Sequence, residues 1–134
     1  MPCIEKRKIK VMFNALAVFV GGGLGSLCRY GLSLLVPNSG TAFPMATLMA
    51  NICACFVLGY LTDYLLRDTL SDHWKLLLGT GFCGGFSTFS TFSKETLELS
   101  QGGVTMWAVV YLILSLVLGV LAVFFGIWMA NCSK

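Results

Sequence analysis

Four uncharged and mostly apolar stretches separate the charges of this chain. They are 18 residues between Lys10 and Arg29, 33 between Arg29 and Asp63, 18 between Lys75 and Lys94, and 35 between Glu98 and Lys134. A helix needs about 20 apolar residues to cross hydrocarbon. The pattern therefore predicts four spans, at about 11–36, 45–66, 75–98 and 104–130, joined by short connections into a single membrane domain over residues 1–134. Pro37-Asn38-Ser39-Gly40 is a turn cluster that ends the first span, and Pro44 suits the first position of the second. Asp63, Arg67, Asp68 and Asp72 with His73 mark an exit into a short polar loop. Trp74 and Lys75 form an interfacial anchor ahead of the third span, and Trp107 and Trp128 lie near the ends of the fourth.

Composition agrees with this layout. Hydrophobic residues make up 57% and charged residues 11%, with a mean hydropathy of +0.83, where soluble domains carry roughly 25% charge. The basic start, Lys6-Arg7-Lys8-Ile9-Lys10, imitates a signal peptide, but the apolar pattern runs on to Val36 without a polar cleavage region, so it reads as the first span preceded by a topology signal. Six cysteines form no C-x-x-C pair and read as small packing residues. The lone His73 falls in a loop, no Ser-His-Asp or Cys-His set exists, no carboxylate falls deep in a span, and no phosphate loop, metal-ligand cluster or nucleic-acid patch is present. Those absences argue against an enzyme and against proton-coupled exchange.

The polar residues inside the spans are few. Gly21, Gly22, Gly23, Gly25 and Ser26 place small residues at i and i+4, which lets a neighbouring backbone approach. Arg29, about two-thirds along the first span, either snorkels to the interface or faces a partner or water cavity. Asn51 needs hydrogen-bond partners, from another helix or along a wet path. Tyr111, Ser115, Gly119 and Gly126 share a face of the fourth helix that suits packing or a polar track.

The third span holds Gly79-Thr80-Gly81-Phe82-Cys83-Gly84-Gly85-Phe86-Ser87-Thr88-Phe89-Ser90-Thr91-Phe92-Ser93. Its glycines and hydroxyls are poor helix formers, and the expected break lies near Gly84 and Gly85. Irregular backbone at membrane depth is tolerated inside protein or beside a water-filled cavity, so the break is the candidate site. Phe86, Phe89 and Phe92 recur every three residues beside hydroxyls. As packing residues they need no further role; presented edge-on with hydroxyl and amide donors, they suit a small anion.

The combination Gly21-Gly22-Gly23-x-Gly25-Ser26-x-x-Arg29-Tyr30, Asn51, and Gly81 through Ser93 resembles the CrcB/Fluc family of fluoride channels across essentially the whole chain. The resemblance implies an all-α integral membrane fold of four transmembrane helices with a broken third helix, paired as an antiparallel, dual-topology dimer. It implies a passive, fluoride-selective channel in the cell (inner) membrane that exports fluoride from the cytoplasm and lowers its toxicity. A negative-inside potential drives an anion outward by about 2.3 kcal/mol per 100 mV, so no pump is required.

By motif match, the resemblance implies that Asn51, Phe89, Phe92, Ser90 and Thr91, with Ser115 and Tyr111, line the fluoride path and that Arg29 shapes an aqueous vestibule. It also implies that backbone carbonyls of Gly84 and Ser87 hold a structural sodium ion at the dimer centre. Ser87 stands where the family more usually has threonine, a change to which a backbone carbonyl is indifferent. Membrane lipid and a second subunit are the expected partners. Charge asymmetry bears on that subunit: Lys6, Arg7, Lys8, Lys10, Arg67, Lys75 and Lys134 fall on the N-terminal side and Lys94 toward the other. This favours an N-terminus-inside orientation, so a heterodimer with an oppositely oriented paralogue stands beside the homodimer. Two other readings fit less well. A small dual-topology multidrug antiporter expects a carboxylate in the first span, and a structural subunit leaves Asn51 and the hydroxyl-phenylalanine run unexplained.

Overall fold

The computed structural model describes residues 2–36, 43–66 and 70–133. The turn expected at Pro37-Asn38-Ser39-Gly40, the exit at Arg67 and Asp68, and Lys134 lie outside the described residues, as do the side chains of Cys3 and Asp63. Every element in the described residues is helical: α1 (Pro2–Leu35), α2 (Met45–Leu66), α3 (Asp72–Trp74), a π-helical stretch (Lys75–Cys83), α4 (Gly84–Phe86), α5 (Phe89–Gln101) and α6 (Thr105–Cys132). Among the described residues, three helices are long and apolar enough to cross a membrane, within Ile4–Leu35, Met45–Thr62 and Thr105–Cys132. A further passage is made in pieces, from α3 through α5.

Outward faces carry large apolar side chains, among them Phe19, Leu116, Phe124 and Trp128. Such a surface is suited to lipid rather than to water. Together with the helix lengths, it makes this a multi-pass membrane protein.

The bundle divides into two tight pairs. Helix α1 packs along the π-helical stretch and α4, and α2 packs along α6. Both contacts are backbone against backbone. A Cβ built on Gly21, Gly25 or Gly85 would run into the main chain at Leu77, Phe82 and Gly22 respectively. At the second contact, a Cβ on Gly59 would strike Val123 and one on Gly126 would strike Phe56. Lipid supplies no hydrophobic drive for association, so this close van der Waals approach is the available source of cohesion. The π-helical stretch sits in the first contact with Gly81 and Cys83 buried; its poorer internal geometry is tolerated where a neighbouring backbone closes on it.

A smaller apolar cluster of Leu48, Leu99, Ala108 and Tyr111, flanked by Phe43, Ile52, Phe92 and Val104, joins α2, α5 and α6. It lies at the end of the bundle opposite the N-terminus of α1. At the N-terminal end, Lys10 Nζ meets Asp72 Oδ2 at 2.7 Å, and the exposed His73 stands edge-on to Phe13. His73 lies in the short helix α3 rather than in a loop. The Lys10 ammonium holds the Asp72 carboxyl below its usual range.

Two expectations need correction. Of the cysteines, Cys83 is buried and Cys55 half-buried, but Cys28, Cys53 and Cys132 are exposed, so not all of them are enclosed by packing in this chain. Helix α1 also starts earlier than the apolar pattern, because Glu5, Lys6, Arg7 and Lys8 are adequate helix formers and Pro2 fits the first turn.

The glycine contacts yield a paired test. Gly25→Ala forces its Cβ into the backbone of the third passage and is expected to cost about 1–3 kcal/mol or more. Gly23→Ala, with nothing within 4 Å of the new carbon, is expected to be neutral or slightly stabilising. Thermal midpoints of the purified variants in detergent, read by the loss of monodisperse protein, check the contrast.

Candidate functional site

The third passage is helical through Phe86, extended at Ser87 (φ −74°, ψ 156°) and Thr88 (φ −150°, ψ 116°), and helical again from Phe89. The interruption thus falls just beyond Gly84 and Gly85 rather than at them. Those glycines remain helical because Gly85 is pressed against the Gly22 backbone, while Thr88 opens a new helix as its cap, accepting the Thr91 N–H at 3.3 Å.

Two donors that would continue the helical ladder are diverted. The Thr88 N–H goes to Asn51 Oδ1 at 2.8 Å, and the Thr91 N–H goes to Thr88 Oγ1. The carbonyls of Gly84 and Ser87 therefore lose their i+4 partners. Asn51 completes a two-point grip on Thr88, its Nδ2 donating to the Thr88 carbonyl at 3.5 Å. The amide thus has an interhelical partner, and that partner lies at the interruption. Ser87 turns its own N–H and Oγ back to the Cys83 carbonyl, at 3.0 Å and 2.9 Å.

Hydroxyls gather on the far side of the interruption. Thr88, 7% exposed, donates from Oγ1 to Thr91 Oγ1 at 3.1 Å and lies 3.3 Å from Ser90 Oγ. One turn further along α5, Glu95 accepts from Thr47 Oγ1 at 2.8 Å and from the Tyr111 hydroxyl at 2.9 Å. A single carboxylate thus ties α2, α5 and α6 together. Tyr111 is fully buried, with the ring of Phe92 at 5.0 Å and that of Phe43 edge-on at 5.4 Å. Phe89 lies 5.9 Å from Phe92 and is 80% exposed on this chain.

Next to this network opens a cavity of about 740 Å³, walled by Ser26, Arg29, Thr47, Thr91, Glu95 and Glu98 among others. Arg29 is half-buried in its wall and makes no ion pair among the described residues. The chamber combines one cation, hydroxyl donors and carboxylates in a water-accessible mouth set beside the helix interruption. Chemically, it can receive a small hydrated ion and offer it donors in place of water.

The structure brings Asn51, Ser90, Thr91, Phe92 and Tyr111 into one connected region, with Phe89 at its outer edge. Ser115 lies on the same face of α6 as Tyr111, but its Oγ is buried without a hydrogen-bond partner among the described residues, and it joins no part of the network. Gly119 and Gly126 on that face serve packing, against Cys55 and the backbone of α2.

Thr88, Thr47 and Glu95 are the residues that sequence reading missed. Thr88 carried a legible signal, a threonine three residues before a hydroxyl at a helix start. Glu95 falls three residues from the end of the span expected at 75–98. Helix α5 continues to Gln101, about 9 Å further at 1.5 Å per residue, so a carboxylate does reach into the bundle.

Fold and site together define a multi-pass helical membrane protein with an interrupted helix beside a polar chamber. Residues 16–127 match the family described as CrcB-like protein, Camphor Resistance (CrcB), and the chain belongs to this family. It is 42% identical over 121 residues, 90% of this chain and 100% of the relative, to the fluoride-specific ion channel FluC of Phocaeicola vulgatus. It is 45% identical over 122 residues to the protein of that name from Chlorobaculum tepidum, covering 90% of this chain and 97% of the relative. With that of Pyrococcus abyssi it shares 42% over 119 residues, 88% and 96% of the two chains.

Removing the Tyr111 hydroxyl tests the carboxylate tie. Tyr111→Phe leaves Glu95 with one of its two donors and is expected to cost about 1.5–3 kcal/mol, the range for a hydrogen bond to a charged group. Its thermal midpoint in detergent is expected to fall clearly below that of the parent chain and of Leu116→Ala, a change on the lipid face.

Proposed function

We propose that this protein is a passive, fluoride-selective channel of the cell membrane that lets cytoplasmic fluoride leave down its electrochemical gradient. The observation that carries the reading is the interrupted helix, whose amide-held backbone stands beside a donor-rich chamber, in a chain whose relatives of nearly full length are named fluoride-specific ion channels. The N-terminus of α5 bears partial positive charge and favours an anion. Ser90 and Thr91 in its first turn supply hydroxyl donors, and the second Asn51 Nδ2 proton adds an amide. Arg29 raises the anion concentration in the chamber. The Phe89 and Phe92 ring edges are weakly electropositive and complete a set of individually weak contacts. An ion so held can replace its hydration and still leave.

The interruption also fits a structural sodium ion. Gly84 and Ser87 carbonyls, released from the helical ladder by Asn51 and Thr88, are oxygen donors of the kind hard cations take. Bound there, the cation supplies fixed positive charge between subunits. Two carbonyls from one chain fill only part of such a shell, so a second subunit completes it. The 80% exposure of Phe89, beside the same interruption, fits coverage by that subunit. An antiparallel dimer satisfies both requirements. The basic residues on the N-terminal side favour one orientation of this chain, so an oppositely oriented paralogue is the second reading of the partner.

Fluoride efflux from liposomes that contain only this chain tests the channel, with chloride as control and a fluoride electrode as readout. Rapid fluoride-only efflux is expected. Asn51→Ala and Phe89→Ile are each expected to slow it at least about tenfold, equivalent to about 1.4 kcal/mol in barrier height, while the dimer survives on gel filtration. Loss of assembly before loss of flux would assign these residues to packing instead. Cysteine accessibility at both termini tests the partner: a single orientation supports the paralogue, and equal populations support the homodimer.

A further inference from the structure

Helix α1 is longer than the membrane requires. Its 34 residues rise about 51 Å, against a hydrocarbon core of about 30 Å. The level at which it leaves the core is marked by three observations at the N-terminal end of the bundle: the Lys10–Asp72 ion pair, the Phe13–His73 contact and the exposed Trp74, a residue of membrane interfaces. From Lys10 the helix continues outward without a break to Pro2. At 1.5 Å per residue, Lys8, Arg7 and Lys6 stand about 3, 4.5 and 6 Å above Lys10. That spacing lies within the headgroup layer, which is about 5–7 Å deep on each side.

The extension carries four cations against one carboxylate, Glu5, and all of these residues are exposed. Only Lys10 among the four cations is ion-paired within the described residues. At 100° per residue, Lys6, Arg7 and Lys8 point to different sides of the helix, so they do not form one face for docking a protein groove. Continuity with the span fixes them instead at the depth of lipid phosphates on every side. The segment also precedes residue 16, where the match to the family model begins.

We propose that Lys6, Arg7 and Lys8 form a collar that gathers anionic lipid headgroups around the N-terminal end of α1. The attraction falls off within a Debye length, which the helix satisfies by holding the charges in the headgroup layer itself. The collar requires only the embedded chain and does not depend on what the chain conducts.

Trp74 reports the lipid beside it. A variant with Trp107→Phe and Trp128→Phe, which keeps Trp74 as the only tryptophan, is reconstituted in vesicles of phosphatidylcholine with brominated phosphatidylglycerol or brominated phosphatidylcholine. Quenching then gives the relative association of the two lipids. The anionic lipid is expected to be preferred, with the preference falling about fivefold for each charge removed and roughly a hundredfold in Lys6→Gln/Arg7→Gln/Lys8→Gln. It is expected to decline at high salt and to persist when inorganic phosphate is added at constant ionic strength. Should the triple variant fail to reconstitute, the three single variants measure the same quantity. Equal association of both lipids with the parent chain, a preference that survives the substitutions, or its removal by free phosphate would overturn the collar.

Discussion

A backbone that stops being helical at membrane depth must find its hydrogen bonds from protein or from a water-filled cavity, because hydrocarbon offers none. In this chain that demand falls on Ser87 and Thr88, and Asn51 meets it by taking the Thr88 N–H and returning a donor to the Thr88 carbonyl. Thr88 in turn caps α5. Without this exchange, the Thr88 N–H and carbonyl would lack these partners, at a cost of several kcal/mol for each group left unpaired. One amide from α2 therefore decides the course of the third passage.

The rest of the packing holds that amide where it is needed. Glycine contacts fix the first half of the third passage against α1, while a second glycine contact locks α2 to α6. These are two rigid pairs, and the seam between them carries the polar ties. Asn51 reaches across it to Thr88, and Thr47 and Tyr111 both reach to Glu95. The chamber lies at this seam, with α1 contributing Arg29 and Ser26 to its wall. Apolar contact makes each pair, and hydrogen bonding sets how the pairs meet.

Much of this was legible in the residues. The charge gaps located the helices, and the small residues at i and i+4 in α1 marked a close contact. Glycine and hydroxyl density marked the weak point of the third passage. What the pattern could not resolve was which weak residue yields. Propensity pointed to Gly84 and Gly85, yet tertiary contact with Gly22 keeps them helical and the chain opens at the adjacent hydroxyls. Glu95 was hidden for a related reason: distance from the last charge in sequence said little about depth while the end of α5 was unknown. Its partners Thr47 and Tyr111 come from other helices, and no local pattern announces a tie across three elements. The mismatch between α1 and its apolar stretch was hidden likewise, since the basic residues read simply as a topology signal ahead of the span.

The interruption also produces two electrostatically opposite surfaces from uncharged backbone. A helix ending at Phe86 leaves carbonyls without partners, and one beginning at Phe89 leaves N–H groups in its first turn. The first half therefore ends in partial negative charge and the second starts in partial positive charge. Had the chain used ionised side chains at this depth, their desolvation would have required close pairing, and paired charges are poor hosts for a mobile ion. Dipoles fixed by Asn51 and Thr88 need no counter-ion and do not collapse onto one another. The interruption thus sets a carbonyl end and an N–H end close together in uncharged backbone, while Arg29 stays in the wall of a chamber of about 740 Å³.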